Sequence, residues 1–166
     1  MKKYSFLILA AATFVGGCQT TPKNPNPAAT SDITVNFKDS DKFTDVRESV
    51  SGPTSQYYLD ELSKELKEDA ARRLTAGQKL TVTFTDIDLA GDIPPGQLND
   101  IRVIKSIYRP RMTLTFKLVD ATGTVLKEGD RTLLDFSFMG NIPMGNQSDP
   151  LRYDKTLLSD WVNKEF

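Results

Sequence analysis

Histidine is absent from this chain of 166 residues, and cysteine occurs once, at Cys18. The first absence removes the commonest general base at neutral pH and the commonest zinc ligand. The second excludes an intramolecular disulfide, a Cys-His nucleophile and a thiolate metal cage. Neither a Gly-Lys-Ser phosphate loop nor a Gly-x-Gly-x-x-Gly dinucleotide turn occurs. Lysine and arginine number 21 against 22 aspartates and glutamates, for a formal charge of −1, so no basic excess draws the chain onto nucleic acid. No cofactor is indicated and no catalytic motif is present, so the chain reads as a non-enzyme whose stability comes from packing.

The longest apolar stretch, Tyr4 to Val15, follows Lys2 and Lys3 and ends in small residues. That is the pattern of an export signal over residues 1–17. At about 12 residues the stretch is too short to span a bilayer, which takes roughly 20. Val15-Gly-Gly-Cys18 resembles the bacterial lipoprotein signal. In that signal the cysteine sulfur receives a diacylglycerol, the leader is cut off and the new amino terminus is acylated. An ordinary cleaved signal that leaves a free thiol is the competing reading. With about 0.8 kcal/mol for each buried methylene and more than one chain, a lipidated Cys18 anchors the protein permanently. Gln19, where an aspartate would argue for inner-membrane retention, places the expected address at the periplasmic face of the outer membrane. Loss of Lys2 and Lys3 with the leader takes the charge from −1 to −3.

Residues 18–32 are rich in Pro, Asn and Thr, with Pro22, Pro25 and Pro27 and almost nothing to bury. They form a flexible tether, and about 13 extended residues at roughly 3.1 Å each reach up to about 40 Å. Residues 33–166 have the length of one domain. Ile33, Val35 and Phe37 alternate as in a half-buried strand. Ser55 is placed to cap a helix whose Leu59, Leu62, Leu66, Ala70 and Leu74 share one face, and Gly77 to close it. In Lys79 to Leu89 the inward parity passes from Leu80, Val82 and Phe84 to Ile87 and Leu89, which predicts a bulge near Thr85 or Asp86. A strand region over Ile101 to Val119, broken at Arg109-Pro110, turns at Asp120-Ala-Thr-Gly123 and returns over Val125 to Phe138. Asp149 before Pro150 predicts the cap of a last helix with Leu157, Leu158, Trp161, Val162 and Phe166 inward. The expected fold is α+β: an antiparallel-rich mixed sheet of about four strands with two amphipathic helices packed on it, in the order β-α-β-β-β-α. The first helix is then a crossover between the first two strands.

Two clusters are candidate binding sites. Asp86 and Asp88, two apart on a strand, point the same way, with Asp92 and Asp100 close behind. Together they suggest a shared calcium ion or the acid and base of a glycoside hydrolase. An EF-hand loop, however, needs an oxygen ligand and a glutamate where Ala90 and Gln97 stand, and no aromatic sugar platform surrounds the aspartates. The structural alternative pairs them with Arg102, Lys105 or Arg109 on a neighbouring strand. The second cluster, Arg102, Lys105, Arg109 and Arg111 with Tyr108 among them, suits an anion such as a phosphate or carboxylate of an envelope polymer. The loop Gly140 to Asn146, with Ile142 and Met144, is either an exposed docking tip or a lid.

Taken in order, Phe43-Thr-Asp-Val-Arg47, Asp86-Ile-Asp-Leu-Ala-Gly91, Asp100-Ile-Arg-Val-Ile-Lys105, Tyr108-Arg-Pro-Arg111, Lys127-Glu-Gly129 and Asp149-Pro-Leu-Arg-Tyr153 resemble the bacterial family called domain of unknown function 3016. The likeness covers nearly all of residues 33–166. It implies an exported envelope protein and supplies no activity and no family catalytic residues. Two expectations stand at this point. One is an envelope lipoprotein that serves as a non-enzymatic accessory or binding module for an envelope protein or polymer, held to the membrane through lipid on Cys18. The other is small-ligand or metal-ion binding, or a carboxylate-based hydrolase, built on Asp86, Asp88 and Asp92.

Overall fold

A computed structural model describes residues 31–96, 100–140 and 147–166. The expected signal, Cys18, most of the tether and most of the Gly140 to Asn146 loop lie outside the described residues. The elements are β1 (Asp32–Phe37), α1 (Gln56–Arg73), β2 (Lys79–Asp88), β3 (Arg111–Val119), β4 (Val125–Leu134) and α2 (Arg152–Glu165), with one 3-10 turn at Ser40–Lys42. The succession is β-α-β-β-β-α, as expected. One sheet holds the strands in the order β1-β2-β3-β4. β1 and β2 are parallel with α1 as the crossover, and the other two pairs are antiparallel.

Both helices cover one face of the sheet. α1 lies against β1 and α2 reaches β4, and the two helices pack on each other. The alternation of β2 and β3 places Leu80, Val82, Phe84, Met112, Leu114, Phe116 and Leu118 under them, where they are buried with Leu62, Leu66, Leu158 and Val162. Each large side chain removed from water this way stabilises by about 1.5–3 kcal/mol. Trp161 and Phe166 meet Phe116 edge-on, each with ring centroids 5.7 Å apart. At the end of α2, Glu165 accepts from Arg131 Nε at 2.8 Å and pairs with Lys127 Nζ at 2.7 Å. Those two cations hold its carboxyl down at about 2 and pin the helix end to β4.

Ser55 caps α1 by accepting the Tyr58 amide at 3.2 Å. Four boundaries differ from the expectation. Leu74 ends α1 by turning extended, and Gly77, with φ 85°, belongs instead to the following turn, where the Gln78 amide donates to the Thr75 carbonyl. β3 begins only at Arg111, because residues 101–110 bond to the 91–92 segment and to their own turn rather than to a strand. β4 likewise stops at Leu134, short of the expected Phe138. In α2 the Asp149 carboxylate accepts the Leu151 amide in a turn ahead of the helix, so Pro150 precedes the first helical residue by two positions.

The bulge lies where the parity change places it. The β2 to β3 register shifts between Phe84 and Asp86, so Ile87 opposes Met112 in the core. Without the extra residue, Asp86 and Asp88 would continue the inward row of Leu80, Val82 and Phe84. The bulge turns both carboxylates to the polar face instead, opposite Thr113 and Arg111.

Candidate binding cleft

The end of the sheet beyond the bulge is finished by three stretches without regular structure. The segment after the 3-10 turn pairs with β2 through Asp45, whose amide donates to Ile87 and whose carbonyl accepts from Leu89. The Leu89-Ala-Gly91 turn then approaches residues 102–108 through three backbone bonds, Gly91 to Tyr108 and the reciprocal pair of Asp92 with Val103. Gly91 permits this approach. Its φ is 85°, and a Cβ there would lie 2.8 Å from the Val103 carbonyl oxygen. Between these stretches and the ends of β2, β3 and β4 opens a cleft of about 390 Å³, with Asp45, Arg47, Val50, Asp88, Asp92, Ile107, Tyr108, Arg109, Arg111 and Leu134 in its lining.

The charges divide into those already held and those left free. Arg111 lies 3.1 Å from Asp86 and 3.6 Å from Asp88. Asp86 also accepts the Thr44 amide at 2.8 Å and its hydroxyl at 3.0 Å. Arg102 is not a surface residue: its side chain is 6% exposed, paired with Asp45 at 2.8 Å and donating to the carbonyls of Gly91 and Arg47. One guanidinium therefore ties three stretches of chain together. Arg109 is exposed, with its guanidinium 4.9 Å from the centre of the Phe136 ring, and makes no ion pair among the described residues. Asp92 likewise has no ion pair among them. Lys105 and Asp100 are exposed outside the cleft.

The expected pairing of the aspartates with Arg102, Lys105 or Arg109 is thus corrected. Arg111 holds Asp86 and Asp88, and the buried Arg102 takes Asp45. Nor do the four basic residues form one patch, because they sit on a strand end, a turn and a buried bridge. Burial pushes the Asp88 carboxyl up, Arg111 pulls it down, and Asp45 and Asp86 add to the rise. Among the described residues no group of three His, Cys, Asp or Glu side chains is placed to hold a metal ion.

Comparison with known families matches residues 31–164 to "Protein of unknown function (DUF3016)". The chain belongs to the DUF3016 family. No curated protein matches it. Among solved structures, the DUF3016 chain is similar to a PelC dodecamer from Paraburkholderia phytofirmans, at 12% identity and a TM-score of 0.36, over 80% of this chain and 86% of that one. A single-substitution form of the same dodecamer gives 11% and 0.38 over 80% and 82%. A minor lipoprotein from Acinetobacter baumannii gives 10% and 0.33 over 82% and 89%. Likenesses this distant do not bear on function. No helix among the described residues of this DUF3016 protein is long and apolar enough to cross a membrane.

Beneath the cleft lies a carboxylate that reasoning from the sequence passed over. Asp154 is fully buried, its Oδ1 accepts the Ala90 amide at 3.0 Å, and its Oδ2 has no hydrogen-bond partner among the described residues. Burial pushes it up to about 7, against the lowering effects of the Ala90 amide and of Arg102. A signal for it exists: Asp154 precedes Leu157, Leu158 and Trp161 at the three, four and seven spacing of the apolar stripe. Asp45 had no such signal, since its burial is set by Arg102, 57 residues away.

Proposed function

We propose that this DUF3016 protein is a lipid-anchored envelope protein whose domain is a non-enzymatic binding module, with the cleft as the contact for an envelope protein or polymer. The anchor rests on the basic start, short apolar stretch and Val15-Gly-Gly-Cys18 of the amino terminus. The binding reading is carried by one observation: Arg47, Asp88, Asp92, Arg109 and Arg111, from separate stretches of chain, line one cleft of about 390 Å³. That volume lies within the roughly 300–1,000 Å³ of ligand pockets. Its walls are fixed by the Arg102 and Arg111 ion pairs, so little ordering cost remains for a partner. Apolar Val50, Ile107 and Leu134 at its margin are exposed and available for contact.

A hydrolase or metal site on Asp86, Asp88 and Asp92 is less well supported. Arg111 reaches both Asp86 and Asp88 and holds them as partners of one guanidinium. Among the described residues no three carboxylates are placed to hold a metal ion together.

The test is in-cell photo-crosslinking of the full-length protein from position 107, with position 122, in the turn at the far end of the sheet, as control. The binding reading predicts one envelope protein or polymer captured from Ile107 and not from Thr122. Equal capture from both positions, or none from Ile107 in a folded protein, contradicts it.

A further inference from the structure

The cleft leaves two charges uncompensated, and they are of opposite sign. Asp45 is paired by Arg102 and flanked by Arg47, and Asp86 and Asp88 share Arg111. Asp92 and Arg109 have no ion pair among the described residues, and both line the cleft. Arg109 presents a fork of donors laid over an aromatic face, a geometry suited to a carboxylate or phosphate. Asp88 is short of positive charge as well. It shares its one guanidinium with Asp86, at 3.6 Å against 3.1 Å, and Asp45 stands on the bridge beside it. The cleft therefore asks for a cation on its Asp88 and Asp92 side and for an anion at Arg109. A ligand with only one of these charges would leave the other side unmatched.

We propose that the cleft takes a zwitterion: a ligand with an ammonium group turned to Asp88 and Asp92 and a carboxylate or phosphate on Arg109. The inference rests on the cleft being the binding site. Short peptides with free termini carry this chemistry, and so do phosphoethanolamine headgroups. Exposed Ile107 and Val50 line the same cleft and are available to an apolar part of the ligand.

Titration calorimetry on the full-length protein in detergent tests this with three probes: L-alanyl-L-alanine, D-alanyl-D-alanine and glycerophosphoethanolamine. Saturable binding of a dipeptide points to a peptide source, and binding of glycerophosphoethanolamine to a headgroup. In either case, blocking one charge should weaken binding about tenfold or more, as charge-assisted bonds are lost. The blocks are acetylation of the amine, amidation of a peptide carboxylate, or removal of the phosphate to leave free ethanolamine. Arg109→Gln should erase the preference for the anionic group and keep that for the amine, and Asp92→Asn should do the reverse. Both side chains lack ion pairs among the described residues, so both variants should keep a thermal midpoint close to the wild-type value, and that check separates a lost contact from a lost fold. No saturable binding by any probe, or equal binding of blocked and free forms, overturns the proposal. Selective capture from Ile107 together with either of these results sinks the zwitterion while leaving the binding module standing.

Discussion

At the end of the sheet nearest the Asp120 turn, all four strands lie under two helices, with one register shift between β3 and β4 at Leu118 and Val119, and alternation or a helical stripe marks the place of most residues. At the other end, Asp45, Gly91, Arg102 and Tyr108 come from stretches without repeating structure and are joined by a buried guanidinium and a few backbone bonds. The first region owes its order to apolar burial, which tolerates substitution of one hydrophobic residue for another of similar volume. The second owes its order to specific polar partners, which tolerate very little. Arg102 and Arg109 show the contrast within one short stretch: the former holds the chain together, and the latter lies on the surface over an aromatic ring.

Substitutions should separate the two regions. The largest effect is expected in the packed half, where Trp161→Ala removes a buried ring packed edge-on against both Phe116 and Phe166. A loss of about 3–5 kcal/mol in urea unfolding is expected, as for other buried aromatics. Arg102→Ala comes next. It leaves Asp45 partly buried without its closest cation, and a loss of about 2–3 kcal/mol is expected, below the roughly 3–5 of a fully buried pair because the Asp45 side chain is 18% exposed. A loss no larger than that of Lys105→Ala would mean that Arg102 is not the tie described here.

The third effect depends on pH. The Asp154 carboxyl is raised in the folded state from 3.8 to about 7, so the folded protein holds a proton that the unfolded chain has released. The stability tied to that proton is fully present below about 4, falls as pH rises through the window up to about 7, and is gone above it. Wild type should therefore lose about 1–3 kcal/mol between pH 5 and pH 8, and Asp154→Asn should not. Parallel pH profiles for the two proteins would show that Asp154 is not protonated in the folded state.

The succession of elements, the parallel crossover and the bulge after Phe84 were readable because each follows from a local period or a break in one. The Asp120-Ala-Thr-Gly123 turn was readable through its chemistry, with the Asp120 carboxylate accepting the Thr122 and Thr124 amides. The cleft was readable only as a list of charged residues. Nothing within residues 100–111 distinguishes the arginine that is buried from the one that is exposed, because the partner that decides it, Asp45, lies far away in the chain. Residues 101–110 fall outside the strand for a related reason: the alternation of Met112, Leu114, Phe116 and Leu118 does not reach back to them, and their backbone partner is the Gly91 turn and not a strand.

On this reading the ion pairs of Arg102 and Arg111 build the cleft while Arg109 serves its ligand. Photo-crosslinking from Ile107 in an Arg109→Gln background tests it most directly. Capture from position 107 should disappear while the thermal midpoint stays at the wild-type value. Undiminished capture in the folded variant would contradict the account.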